Sequence, residues 1–360
     1  MKLSTYVIRR ILILIPTLIG LTIIVFLLTR AGGTNMIIGP YLNPRLSAQQ
    51  QLIEKQQLIK QFHLNDPVWV QYFYYMWALV QGNWGLTKTN IYTGPVTTAI
   101  ALFMPNTIQL AIVAYIIAMF IAIPSGTASA VRKNSFVDQF TRFIAFVGIS
   151  LPVFWLAQIL AEAFATPTIS PSLNIFPLGG TVDANLLAGQ SWYNQYLGIS
   201  YPTHIMMIDA LIHGDIPVFI SAVRHVILPA ATLAFTSIAG IMRYMRSSMM
   251  ETLNQDYVRT ARAKGVPEKI VIKKHARKNA LIPVVTVSGL LFAGLLGGVV
   301  VIEEIFNYPG MGYWTYWAMI GNDAGGIMGS TIVFGLILVS ANFVVDILYA
   351  VIDPRIRLGE

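Results

Sequence analysis

Six stretches of this chain are apolar almost without interruption, and the polar residues crowd between them. They cover residues 11–28, 107–131, 143–165, 226–242, 280–302 and 327–352. A helix needs about 20 mostly apolar residues to cross a hydrocarbon core about 30 Å thick, so each stretch predicts one membrane span. The first two carry no charge, the third carries Glu162 and the sixth carries Asp346. Pro16, Pro124, Pro152, Pro229 and Pro283 fall inside five of them and predict kinks or helix ends. The first stretch follows Arg9 and Arg10 as a signal peptide would, but its 18 apolar residues exceed the roughly 7–15 of a signal core. It is read as a retained span.

Composition agrees. The 360 residues are 55% hydrophobic and 11% charged, with a mean hydropathy of +0.63. Soluble domains carry about 25% charged residues. The pattern predicts an all-α polytopic membrane protein of six transmembrane helices. With no cysteine there is no disulfide framework, thiolate metal site or cysteine nucleophile.

The net charge of +8 is distributed unevenly. If the N-terminus is inside, 18 of the 24 Lys and Arg lie in inner segments, ten of them between Arg243 and Lys278. The outer segments 166–223 and 303–326 have none. Since cytoplasmic loops collect Lys and Arg, both termini are expected in the cytoplasm.

Two outer regions are large. Residues 31–104 hold a polar, helical-looking piece, "SAQQQLIEKQQLIKQF", and the aromatic run "VWVQYFYYMW", which suits the headgroup level of a bilayer. The insertion 166–223 is rich in Pro, Gly, Asn and Ser and predicts an irregular loop with short helices. The chain thus divides into a first span (1–30), an extracytoplasmic region (31–104) and a five-helix core (105–360), which includes that insertion and a basic inner loop at 247–279.

Basic residues at mid-membrane cost about 2.5–3.5 kcal/mol each, so that loop stays in the cytoplasm. Residues 251–264 lack Pro and Gly and predict a helix, with Tyr257, Val258 and Ala261 on one face. Gly265 suits a left-handed helix terminus, and Pro267 with Glu268 suits the start of a second helix. A charge anchor or a patch resting on anionic lipid accounts for the Lys and Arg. Nucleic acid is not indicated, because no aromatic residues interleave the charges. Neither bland reading explains "TARAKG", whose Ala261, Ala263 and Gly265 leave room for another protein.

The stretch "DYVRTARAKGVPEKIVIKKHARKNALIPVVT" resembles the cytoplasmic loop of permease subunits of ATP-binding-cassette importers, in the dipeptide and oligopeptide branch. Arg259, Thr260 and Ala261 occupy its Glu-Ala-Ala positions and Gly265 its glycine; the first two depart from the general pattern. The segments "YVIRRILILIPTLIGLTIIVFLLTR", "GISLPVFWLA", "HVILPAATLA", "VVIEEIFNYPGMG" and "VVDILYAVIDPRIR" follow in the family's order. "DPVWVQYFYYMWALVQGNWG" is similar to its outer segment, with Asn83 and Trp84 replacing Asp and Leu. "AGGTN" after the first span and the long insertion depart from the family, both on the outer side.

The resemblance implies a type I importer permease fold in the plasma membrane. It implies a second homologous permease, two ATP-binding subunits and an extracytoplasmic substrate-binding protein, with the lipid bilayer around the spans. Peptides delivered by the binding protein would cross by alternating access. ATP and Mg would sit on the partner subunits; this chain has no Gly-x-x-x-x-Gly-Lys-Ser/Thr loop and would carry no cofactor and no enzymatic activity. Tyr257, Val258 and Ala261 would form the ATPase contact, Arg259 and Arg262 its polar rim and Gly265 the turn, with Lys264 and Pro267 also in the coupling element. Oligosaccharides or metal chelates are the alternative cargoes, since relatives of the branch carry them.

Intramembrane acids mark function by default, which makes Glu162 and Asp346 pathway candidates. Each also has a structural reading, Glu162 at the interface and Asp346 paired with an inner Arg or a neighbouring span. Glu303, Glu304, Tyr308, Pro309 and Gly310 would form an outer turn near the mouth of the pathway, the last four as gate candidates. A proton-coupled carrier using Glu162 or Asp346 is the competing class, and it leaves the basic loop unexplained.

Overall fold

A computed structural model of the chain describes residues 3–166, 175–188, 192–194, 199–200 and 203–352. The chain opens with a 29-residue helix, α1 (Leu3–Ala31), with Pro16 inside it. A short α2 (Thr34–Ile38) and one 3-10 turn follow. Then comes α3 (Ala48–Gln61), started by Ser47 and Gln50, each capping the other's backbone amide. The aromatic run is α4 (Val68–Val80). It lies along the C-terminal half of α1, where Tyr72 and Tyr75 pack on Phe26 and the Tyr72 hydroxyl meets Thr22 Oγ1 at 2.9 Å. Its other face leaves Trp69, Phe73 and Trp77 exposed.

Strands β1 (Leu86–Lys88) and β2 (Thr93–Pro95) form a small antiparallel hairpin before α5 (Val96–Val131). Next come α6 (Phe136–Ser150) and α7 (Val153–Phe164). The 166–223 insertion contributes α8 (Ala184–Leu187), the two-residue strands β3 (Tyr193–Asn194) and β4 (Ile199–Ser200), and α9 (Met206–Ile212). Then α10 (Ile216–Leu253) returns to the basic loop, which holds α11 (Asp256–Ala263) and α12 (Glu268–Ile270). Last are α13 (Arg277–Ile305), α14 (Met311–Ile320) and α15 (Ala324–Ile352). Among the described residues the fold is mostly helical, and two small hairpins depart from the all-helical expectation.

Among the described residues four helices are long and apolar enough to cross a membrane, and five if a bent pair counts as one span. The straight ones cover Val7–Ala31, Val96–Val131, Ile216–Leu253 and Ala324–Ile347. The remaining predicted span, 280–302, lies inside α13. The span predicted at 143–165 is broken at the proline expected to kink it: α6 and α7 meet there at 103°. Pro152 is the cause. It forces Leu151 into an extended conformation (φ −81°, ψ 125°), because a residue before proline avoids helical angles.

At 1.5 Å per residue, α5 and α10 are about 54 and 57 Å long, so both outrun the hydrocarbon core. They form the central pair. Ala111, Ala114, Ala118 and Ala122 of α5 are fully buried, as are Ala230 and Ala234 of α10. Small side chains let two backbones approach, which dispersion rewards where water supplies no driving force. At Gly126 a Cβ would stand 2.7 Å from the Met242 carbonyl, so that crossing tolerates no side chain. In contrast, α1 exposes Leu12, Ile15, Ile24 and Leu28 along its length, the pattern of a lipid-facing helix. Its inner end is tied to α15 by Arg10 Nε and Asp346 Oδ2, 3.3 Å apart.

Candidate coupling site

The basic loop is positioned by three devices. The predicted helix over 251–264 is in fact interrupted: α10 ends at Leu253, and α11 begins at Asp256 after an extended Gln255 (φ −72°, ψ 149°). At the other end of α11 the backbone closes a Schellman motif. Val266 N–H donates to the Ala261 carbonyl and Gly265 N–H to the Arg262 carbonyl. Gly265 has φ +76°, the left-handed angle the motif requires. Nothing lies within 4 Å of a Cβ added there, so the position demands glycine for its backbone angle and not for space. Across the turn, Arg262 grips Glu268 with two hydrogen bonds, Nη2 to Oε1 at 2.7 Å and Nε to Oε2 at 3.1 Å. This pairing holds the Glu268 carboxyl below its usual range and raises the Arg262 guanidinium.

Beyond Pro267 the second helix is not a separate short element. From Glu268 through a six-residue π-helical stretch, Val271–Ala276, it runs without a break into α13. The loop is therefore continuous with a helix that reaches the middle of the fold. Ser248 of α10 donates to the Ala280 carbonyl at 2.8 Å and fixes that helix to its neighbour.

The expected contact face is split by the packing. Tyr257 is exposed, but Val258 and Ala261 are buried within the chain itself, in the cluster that includes Val271, Ala276 and Met249. The correction has a simple cause: the apolar side of α11 is needed to seat α11 on its own core. The available outer surface consists of Tyr257, Arg259, Thr260, Ala263, Lys264, Gly265 and Pro267, with Arg262 half given to Glu268. Arg259 stands 3.6 Å from Asp256 in an exposed pair.

Above the core, Glu303 is the organiser that sequence reading placed in a turn without a role. It is fully buried. Oε1 accepts from the Thr107 hydroxyl at 2.7 Å, and Oε2 accepts from the backbone N–H groups of Gly312 and Tyr313 at 2.7 and 3.0 Å. Thr107 also accepts from Met311 N–H at 2.8 Å. Asn106 donates to the Pro309 carbonyl, and Gln109 donates to the Tyr308 hydroxyl. These contacts clasp α5, the end of α13 and the start of α14. Gly310 lies against the Glu303 carboxylate and Gly312 against the Val300 backbone, so closely that neither accepts a Cβ. Of the gate candidates, Tyr308, Pro309 and Gly310 belong to this clasp. Glu304 points elsewhere, and its buried Oε2 has no hydrogen-bond partner among the described residues. Glu162 accepts from Gln158 one turn earlier, on α7. Neither Glu162 nor Asp346 enters the clasp. A neighbouring glutamate with bonding roles this different is invisible to periodicity, though the adjacent "YPGMG" turn was the available signal.

A mostly helical chain with several helices long and apolar enough to cross a membrane has the make-up of a multi-pass membrane protein. The chain belongs to the family of binding-protein-dependent transport system inner membrane components, which matches residues 118–358. It is 37% identical over 355 residues to the oligopeptide transport system permease protein AppB of Bacillus subtilis (strain 168), covering 98% of this chain and 99% of the relative. It is 35% identical to the dipeptide transport system permease protein DppB of Escherichia coli (strain K12), over 98% of both chains. To the probable D,D-dipeptide transport system permease protein DdpB of that strain it is 40% identical over 83% of each. The family resemblance drawn from the loop and span motifs is upheld.

Proposed function

We propose that this chain is one half of the transmembrane pathway of an ATP-driven importer that takes up di- and oligopeptides. Six spans with both termini in the cytoplasm fit the charge distribution, counting α13 and the bent α6–α7 pair as spans. A second, homologous permease supplies the other half. An extracytoplasmic binding protein delivers the peptide, and two ATP-binding subunits, which hold the nucleotide and Mg, drive alternating access. The observation that carries this reading is the loop: α11 projects an exposed basic surface and is joined by one continuous helix to the core. Such a lever has a use only if something pulls it.

The test is uptake of a labelled dipeptide into proteoliposomes containing the whole assembly. Uptake that needs ATP on the loop side and survives a proton uncoupler is the expected result. Uptake abolished by the uncoupler and indifferent to ATP favours the proton-coupled carrier. The ligand that copurifies with the cognate binding protein decides between peptides and the alternative cargoes, oligosaccharides or metal chelates.

A further inference from the structure

A cavity of about 530 Å³ opens between the outer end of α1, α4, the first hairpin and the start of α15. Arg30, Gln71, Tyr75, Trp77 and Trp84 are among the residues that line it. No Asp or Glu does, among the described residues. Arg30 stands next to last in α1, at headgroup level if α1 spans the bilayer. Its Nε and Nη1 are buried and have no hydrogen-bond partner among the described residues. The contact it does make is with the Phe26 ring, 4.8 Å from the guanidinium carbon. The Tyr75 hydroxyl and Gln71 Oε1 are equally buried and unpartnered.

A guanidinium cannot deprotonate to escape burial, and a buried charge without a counter-charge is strongly unfavourable. Native folds leave few such groups, and each one asks for a missing partner. The acidic residues of the neighbouring elements are already engaged: Glu54 accepts from Asn43 N–H, Asp66 accepts from His63, and Asp323 is bonded to Thr87 and Lys88. We infer that this cavity is a binding site for an oxyanion, a carboxylate or phosphate whose oxygens pair with Arg30. The fork of N–H groups suits two oxygens of one such group. The Tyr75 hydroxyl supplies a further donor, and Trp77 and Trp84 supply apolar surface for the rest of the molecule. Two sources share this chemistry. One is a lipid headgroup phosphate, to which the exposed aromatic face of α4 gives access, and the other is the carboxylate of a small peptide.

Full-length chain purified in a zwitterionic detergent distinguishes them. Retention of phosphatidylglycerol is read by native mass spectrometry, and dialanine binding by tryptophan fluorescence. Arg30→Gln is expected to weaken the probe that binds by about ten- to a hundredfold, the worth of a charge-assisted hydrogen bond, with partial recovery in Arg30→Lys. Ala78→Trp, which fills the cavity from α4 and leaves Arg30 in place, is expected to expel the same probe. Loss of phosphatidylglycerol in these variants assigns a lipid phosphate; loss of dialanine assigns a carboxylate. Equal binding of both probes by wild type, Arg30→Gln and Ala78→Trp, or binding of neither, overturns the site. Neither measurement uses ATP or a partner subunit, so its failure leaves the importer reading untouched.

Discussion

Arg246 of α10 closes two hydrogen bonds on the carboxylate of Asp138, at 2.7 and 3.0 Å, beneath the crossing of the central helices. Asp138 is fully buried and also accepts from the Ser129 hydroxyl and Asn134 N–H. One carboxylate therefore ties the end of α5, the start of α6 and the last turns of α10, the helix that leads into the basic loop.

Removing one partner of a buried ion pair leaves the other charge uncompensated, at about 3–5 kcal/mol. Arg246→Leu is therefore expected to lower the melting temperature of the detergent-solubilised chain sharply. Adding Asp138→Asn to it should recover much of the loss. Thermal melts of the two single variants and the double variant check this; a double variant as unstable as the sum of the singles would count against the pair.

At Gly265 a side chain has room but the backbone angle is wrong. A β-branched residue held left-handed costs about 1–2 kcal/mol, enough to reset the angle between α11 and the helix that follows. Gly265→Val is expected to insert normally and lose ATP-driven uptake, whereas Gly265→Asn, which tolerates that angle, should keep most of it. Transport assays on equal amounts of inserted protein read the difference. Normal uptake in the valine variant would sink the lever.

Exposed and buried residues of α11 should fail differently. Arg259→Glu is expected to reduce recovery of the ATP-binding subunits in pull-downs while leaving the chain's melting temperature unchanged. Val258→Asp should lower the melting temperature first, because it places a charge in the cluster that seats α11. Identical behaviour of the two variants would mean that the loop surface is not a docking surface.

The outer clasp gives a graded series. Glu303→Ala strips the acceptors from Thr107, Gly312 and Tyr313, and a buried donor left without a partner costs about 1–3 kcal/mol. Glu303→Gln retains one oxygen acceptor and should fall between alanine and wild type, while Glu304→Gln should leave stability unaltered. Hydrogen exchange at Gly312 and Tyr313 reports the clasp directly.

The Arg262–Glu268 pair predicts a modest acid sensitivity. Glu268 titrates below the ordinary 4.5 when folded, so its stabilisation is fully present above that value. It is lost as pH falls through the lower, folded value. Both side chains are roughly half exposed, so the pair is worth at most about 1 kcal/mol and weakens with salt. Protease cleavage in the turn should rise at acid pH in wild type. In Glu268→Gln it should be high already and flat with pH.

Much of this was legible in the chain before folding was considered. The spans follow from uninterrupted apolar length, the inner loop from the clustering of Lys and Arg, and the turn from a glycine between two helical runs. Each is a local property, carried by consecutive residues. Pro152 announced a break, though not a turn of 103°. The sequence alone did not say that Val258 and Ala261 face inward, since a helical face looks the same whether its own chain or another covers it. It did not separate Glu303 from Glu304, or join Asp138 to Arg246, or leave Arg30 beside an empty space. Those assignments depend on contacts between residues far apart along the chain, and only tertiary packing decides which buried polar group meets a partner.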